Sequence, residues 1–255
     1  MTNEISTSES TPKLSPLRVA WSKGKQAAWK NRILGMLLWL FGVAIIVGYY
    51  NVGAVRESFE WLGQLKAQTG WIFGVVSTAI FGGLLPVILP ILFGQDRSEK
   101  EKRFFWGLLI SNCLFWAFKG LEVDLLYQFQ AWLFGNNNDF KTVAMKVFFD
   151  MGIYAPLIGL LNCVLFYIWR DNGYSISKTR ESLGENWYLH KVLPALISNF
   201  CVWCPSVIII YNLPLALQLP VQNLILCFWV LILVFFTSDD EELNDAVVQS
   251  TDTIA

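Results

Sequence analysis

Charge is scarce in this 255-residue chain: 15% of its residues are charged, against about 25% in typical soluble proteins. Hydrophobic residues make up 55%, in runs too continuous for surface helices to generate, which argues against a water-soluble globular fold. Histidine is nearly missing. The lone His190 stands just before an apolar segment with no second histidine at ligand spacing, so it is expected at an interface and not on a metal. Cysteine is sparse and odd in number, and all five (Cys113, Cys163, Cys201, Cys204, Cys227) lie within apolar runs. That placement speaks for packing and against an extracellular disulfide framework. Cys201-x-x-Cys204 lacks the second exposed thiol pair that a membrane thiol oxidoreductase needs to pass electrons on. An interleaved basic and aromatic surface is also missing, so no nucleic-acid partner is expected. Finally, the chain has no phosphate-binding glycine loop, no glycine-flanked nucleophilic serine and no metal-ligand pair on one helix face. No cofactor and no enzymatic activity are therefore expected.

What the chain does have is long apolar segments rich in aromatics, with 12 Trp and 19 Phe. The expected fold is all-α: a polytopic membrane bundle of four to six transmembrane helices, several of them kinked by proline. Residues 1–32 are expected as a flexible basic cytoplasmic tail, 33–236 as the bundle, and 237–255 as an acidic disordered tail. The tail resembles neither a cleavable secretory signal nor a clean mitochondrial presequence, because 32 residues precede the first apolar run and Glu4 and Glu9 interrupt the bases. Apolar segments run over 33–50, 71–94, 104–134, 143–169, 192–213 and 221–236. Gly135 to Asp139 end the third, Pro86, Pro90 and Pro156 bend the second and fourth, and Pro214 with Pro220 divide the last long run. One of the last two segments is allowed to lie in the interface. If the N-terminus is cytoplasmic, fourteen Lys and Arg fall on that side and five on the other, which supports this orientation.

The residues that need explaining are ionisable groups inside apolar segments, which are costly there unless they meet partners or water. Asn112, Lys119 and Glu122 share one stripe of the third helix, while Asp124 projects roughly 140° away from Lys119. Lys146, Asp150 and Tyr154 follow at steps of four on the fourth helix. At 1.5 Å per residue, Lys119 lies about 22 Å and Glu122 about 27 Å from Phe104, and Asp150 about 28 Å from Trp169. These groups should meet at similar height on antiparallel helices, with Lys119 pairing with Asp150 around a polar constriction. The alternative is that they lie at the outer interface, snorkel, and merely lock two helices together.

In the fourth segment, Lys146-Val-Phe-Phe-Asp150-Met-Gly-Ile-Tyr-Ala155-Pro156 resembles the K-x-x-x-D-Q-x-x-x-A-P signature of the Mpv-seventeen and peroxisomal membrane protein twenty-two family, with Met151 in place of glutamine. Gly120-Leu-Glu-Val-Asp124-Leu-Leu-Tyr127 keeps the spacing of that family's G-P-x-x-H-x-W-Y, with Asp124 where histidine is usual. Asn199, Trp203 and Tyr211 resemble its N-W-x-x-W-P and later aromatic positions. Pro214 is followed by Gln218 where the family has arginine, and Trp229 falls at its last tryptophan. The resemblance spans about 104–236 and does not reach the first two segments. It implies a helical protein of the kind described as pores for small metabolites or ions, in a divergent branch that could be bacterial.

The leading expectation is a channel or facilitator for small solutes or ions, with Asn112, Lys119, Glu122, Asp124, Tyr127, Lys146, Asp150 and Tyr154 as candidate pathway residues. The alternative is a non-conducting membrane organiser or assembly factor. Acid–base catalysis by the buried charges ranks third, because no nucleophile or metal site accompanies them. Expected partners are the lipid bilayer, small solutes or ions, and further copies of the chain in a homo-oligomer. The expected location is a bacterial plasma membrane, with a mitochondrial inner or peroxisomal membrane as alternative.

Overall fold

The structure is a computed structural model that describes residues 15–94 and 99–231. Ten helices and no strand occur among the described residues: α1 (Pro16–Lys30), α2 (Arg32–Asn51), α3 (Gly53–Thr69), α4 (Trp71–Leu92), α5 (Glu99–Arg103), α6 (Phe105–Phe134), α7 (Phe140–Asp171), α8 (Ile176–Leu183), α9 (Tyr188–Tyr211) and α10 (Leu215–Leu231). Four of them, α2, α4, α7 and α9, are long and apolar enough to cross a membrane, with 20, 22, 32 and 24 residues. The chain is a membrane protein with an all-α bundle.

α6 is 30 residues long, about 45 Å, and its two sides differ sharply. Trp106, Ile110, Leu114 and Phe118 are more than half exposed at steps of four, forming an apolar outer stripe. Asn112, Lys119, Asp124 and Gln130 are buried on the inner side. This is the reverse of a soluble helix, and it is the arrangement a hydrocarbon solvent selects.

Contacts show the direction in which each helix runs. The approach of Gly74 to Gly120 and of Gly83 to Cys113 sets α4 antiparallel to α6. Stacking of Phe115 on Phe166 and the bond between Ser111 and Tyr174 set α6 antiparallel to α7. α1 and α2 follow α9 in the same direction, with Gly24 against Ile197 and Gly42 against Ile209. One end of the bundle therefore carries α1, α5 and α8 with most of the bases, and the other carries α3 and the 135–139 turn.

Three expectations need correction. Within the segment read as a flexible tail, 16–30 is helical and packs along α9. Its small residues make the seam, with Ala20 buried and Gly24 against Ile197, while Arg18, Lys23, Lys25 and Lys30 face outward. The acidic tail 237–255 lies outside the described residues. The last helix does not lie in an interface: α10 occupies the centre, with Val221 and Ile225 fully buried and Leu219 at 1% exposure. It touches α3 through Leu217 on Gly63, α4 through Asn223, α6 through Gln222 and α2 through the Phe41–Phe228 stack. Nor does Pro220 divide the run. It lies within α10, where surrounding helices shield the backbone that the missing N–H leaves unpaired.

Pro86 and Pro156 act through local unwinding. π-Helical turns occupy Ala79–Leu84, ahead of Pro86, and Asp150–Gly159, around Pro156. A wider turn relieves the clash between the proline ring and the preceding carbonyl. The second π stretch starts at Asp150, so it also rotates the polar face of α7 relative to a regular helix.

At the start of α7, Asp139 caps the helix by accepting from the backbone N–H groups of Lys141 and Thr142, each at 3.1 Å. The Thr142 hydroxyl, donating at 2.8 Å, is the main reason its pKa lies below the ordinary aspartate value. A carboxyl with a depressed folded-state pKa stabilises the fold above the unfolded pKa and loses that contribution as pH falls through the folded one. Asp139→Ala should therefore lower the midpoint of thermal unfolding at neutral pH, and the gap from wild type should close in strong acid. A gap constant from pH 7 down to pH 2 would contradict the cap.

Candidate functional site: a polar cavity inside the bundle

Between α4, α6, α7, α9 and α10 lies a cavity of about 370 Å³, within the range of roughly 300–1,000 Å³ typical of small-molecule sites. Lys119 and Tyr127 from α6, Asp150 and Tyr154 from α7 and Gln222 from α10 supply polar atoms to its wall. Asn199, Trp203 and Trp229 also line it, so three further positions of the family-like motifs join Tyr127 and Asp150 here.

The expected Lys119–Asp150 ion pair does not form. Lys119 instead pairs with Glu122 one turn on, at 2.5 Å, and also donates to the Tyr154 hydroxyl at 3.3 Å and the Gly159 carbonyl at 3.2 Å. Tyr154 and Asn162 complete Glu122, donating to its two oxygens at 2.5 and 3.1 Å. The local pair wins because residues three apart on a helix are neighbours before any tertiary docking. Asp150, 5% exposed, turns to α9 and accepts from the Tyr211 hydroxyl at 2.5 Å. Both groups lie inside the bundle and are met by protein partners.

Other predicted residues are dispersed. Asp124, expected off the Lys119 face, pairs with Lys66 of α3 at 2.9 Å, and Lys66 also caps the Gly70 carbonyl. Lys146 is 2% exposed and sits with its ammonium 6.0 Å from the centre of the Tyr211 ring, off the cavity wall. Asn112 is buried, its backbone carbonyl near Gly83 of α4 and its side-chain Oδ1 without a hydrogen-bond partner, and it does not reach the cavity. Tyr127, by contrast, is on the cavity wall, where it donates to Gln222 at 3.3 Å and stacks edge-on with Tyr211 at 5.6 Å.

The remaining motif positions are structural. Gly120 lets α4 and α6 touch backbone to backbone, because a Cβ there would lie 2.1 Å from the Gly74 carbonyl oxygen. The Pro156 carbonyl accepts from Tyr188 at 3.0 Å, Pro214 opens the turn into α10, and Gln218 donates to the Leu213 carbonyl at 3.1 Å. His190 is exposed at the start of α9, and no metal-ligand cluster occurs among the described residues.

Sequence reasoning missed Lys66, Asn162, Gln222 and the Ser77–Thr78–Asn223 clamp, in which Thr78 donates to Asn223 at 3.0 Å and Asn223 to Ser77 at 2.7 Å. A signal existed for most of them, since Asn162, Gln222 and Asn223 are amides inside apolar runs. Lys66 gave none, because the polar segment 51–70 reads as a connecting loop.

A second, wider groove of about 990 Å³ opens to the outside between α7 and α9, lined by Phe140, Phe148, Phe200, Cys201 and Cys204 among others. Met151 lines both this groove and the inner cavity. The chain matches no protein-family model, no curated protein and no solved structure.

Proposed function

We propose that the protein is a membrane facilitator for a small solute or ion, which binds in the inner cavity on its way across. The carrying observation is the convergence of Lys119, Asp150, Tyr154 and Gln222 from three helices on one cavity. Ionisable groups in a membrane bundle are expensive, and facing a shared cavity is the arrangement in which a solute could use them. The resemblance around 146–156 points the same way. By the same reading, the chain belongs in a bacterial plasma membrane with α1 on the cytoplasmic side, where its exposed bases would face anionic headgroups. A mitochondrial inner or peroxisomal membrane is the alternative.

The test is solute-size-dependent efflux from liposomes at matched protein incorporation. Asp150→Asn should change the efflux rate or its charge selectivity at least threefold. Wild-type vesicles that leak no ion or small metabolite would reject the facilitator reading.

One observation favours the organiser instead: Lys66–Asp124 ties α3 to α6, and the Lys119–Glu122 pair within α6 is tied to α7 through Tyr154, Gly159 and Asn162, as a structural protein would need. It predicts that substitutions at these positions alter stability and leave permeability per folded molecule unchanged.

Met151 makes the cavity's access testable. In wild type, Cys201 and Cys204 on the outer groove should react with a lipid-soluble maleimide well before Cys163 on the cavity. Met151→Ala should narrow that difference at least fivefold, as read by peptide mass spectrometry. Equal labelling of Cys163 in both proteins would mean that Met151 does not separate the two spaces.

A further inference from the structure

Asp150 is the carboxylate of the cavity that the protein leaves without a cation. Among the described residues, no basic nitrogen lies within 4.0 Å of it, whereas the half-buried Glu122 and the buried Asp124 each hold a lysine. Tyr211 donates to Oδ2, and among the described residues no donor reaches Oδ1. Lys119, the basic residue on the same wall, is already neutralised by Glu122 at 2.5 Å. On the wall itself Asp150 is the carboxylate and Lys119, held by Glu122, is the base, while Lys146, 6.0 Å from the Tyr211 ring centre, lies off it. Around the cavity stand Trp116, Trp203, Trp229, Tyr154 and Tyr167. Aromatic faces attract cations through their quadrupoles, most strongly where water is excluded, and they suit alkylated ammonium groups that hydrogen-bond poorly. The protein already places its own ammoniums this way, with Lys119 5.5 Å from the Tyr154 ring centre and Lys146 6.0 Å from that of Tyr211.

We propose that the cavity recognises a small organic cation of the alkylated ammonium class, with Asp150 as counter-ion and the tryptophans as its apolar cage. This rests on the solute-binding reading above and names the chemistry of the solute. An inorganic cation would leave the aromatic wall without a role, and an anion would meet Asp150 on a wall whose one base, Lys119, is already held by Glu122.

The probe is radiolabelled choline, bound at equilibrium to the full-length protein in nanodiscs of phosphatidylglycerol alone. Choline should bind saturably, and its neutral isostere 3,3-dimethylbutanol should displace it at least about tenfold less well, a difference of about 1.4 kcal/mol. Asp150→Asn should weaken choline about tenfold. If that variant does not fold, the isostere comparison on wild type decides by itself. Equal binding of the alcohol, or preference for the anion 3,3-dimethylbutyrate, would overturn the proposal and assign the pocket to a neutral solute or to an anion held by Lys119. Adding phosphatidylcholine distinguishes sources: competition at low mole fraction identifies a lipid headgroup, and its lack identifies a free solute, either of which upholds ammonium recognition. Because binding is read without flux, the two readings fail separately. Choline bound with no efflux would remove the facilitator and keep the recognition, whereas Asp150-dependent efflux of neutral or anionic solutes without choline binding would do the reverse.

Discussion

Glu122→Ala should cost about 3–5 kcal/mol, the usual penalty for stranding one member of a buried ion pair. Lys119 and Glu122 have side-chain exposures of 6% and 12%, so solvent cannot take over the role of the missing carboxylate. The loss spreads further. Tyr154 and Asn162 both donate to Glu122, and each would face an apolar interior without its acceptor. Against a total stability of about 5–15 kcal/mol, this leaves a small folded fraction. Thermal unfolding in detergent, followed by the monodisperse fraction on size exclusion, is the measurement. Removing the charge of both partners in Lys119→Met with Glu122→Gln should recover much of the loss, because no unpaired ion remains. A single variant as stable as wild type would show that the pair is not buried in the membrane-embedded protein.

Gly120→Val should be comparably damaging for a steric reason. A Cβ at Gly120 would sit 2.1 Å from the Gly74 carbonyl oxygen, and one at Gly74 would sit 2.9 Å from the Gly120 oxygen. Both obstacles are helix backbone, so relief requires α4 and α6 to separate, not a side chain to rotate. Small residues at such crossings are what allow close packing in a bilayer, where water exclusion between helices supplies no drive. The expected cost is about 3 kcal/mol or more, read as loss of folded protein in the same assay. Gly107 of the same helix is the internal control, with nothing within 4 Å of its virtual Cβ. Gly107→Ala should be neutral or stabilising by up to about 1 kcal/mol, because alanine is the better helix former. If the two glycines respond alike, the close α4–α6 crossing is wrong.

The polar groups show how far the sequence could be read. An amide or a charge inside an apolar run announces itself, which makes Lys119, Glu122 and Asp150 legible, Tyr154 is legible from its four-residue step after Asp150, and the four do come together. Their pairing was not legible. Choosing Asp150 for Lys119 assumed that height along two helices decides contact, but rotation about each helix axis decides it too. The π stretch from Asp150 to Gly159 changes that rotation. Asp150 consequently faces Tyr211, 61 residues away, and Lys119 is left to Glu122 beside it. Asp124 shows the same rule from the other side. Its projection away from Lys119 was readable from helical geometry, while its partner Lys66 sits 58 residues earlier in a helix that looked like a loop.

What the sequence determined by itself is whatever depends on composition and near-neighbour spacing. Long apolar runs require a membrane, because no aqueous fold could cover them. Gly135 and Asp139 set a helix end and a helix start through backbone preference and capping, both local effects. The base asymmetry between the two ends is carried by segments whose order along the chain already alternates them. The tertiary structure alone decided that α10 is the centre of the bundle, that 16–30 packs as a helix, and that Asp150 opens into an aromatic cavity without a salt-bridge partner of its own. Those outcomes come from docking surfaces separated by tens to hundreds of residues. Apolar side chains gain almost nothing in lipid by choosing one apolar neighbour over another, so close backbone approach and a few buried polar pairs make the choice.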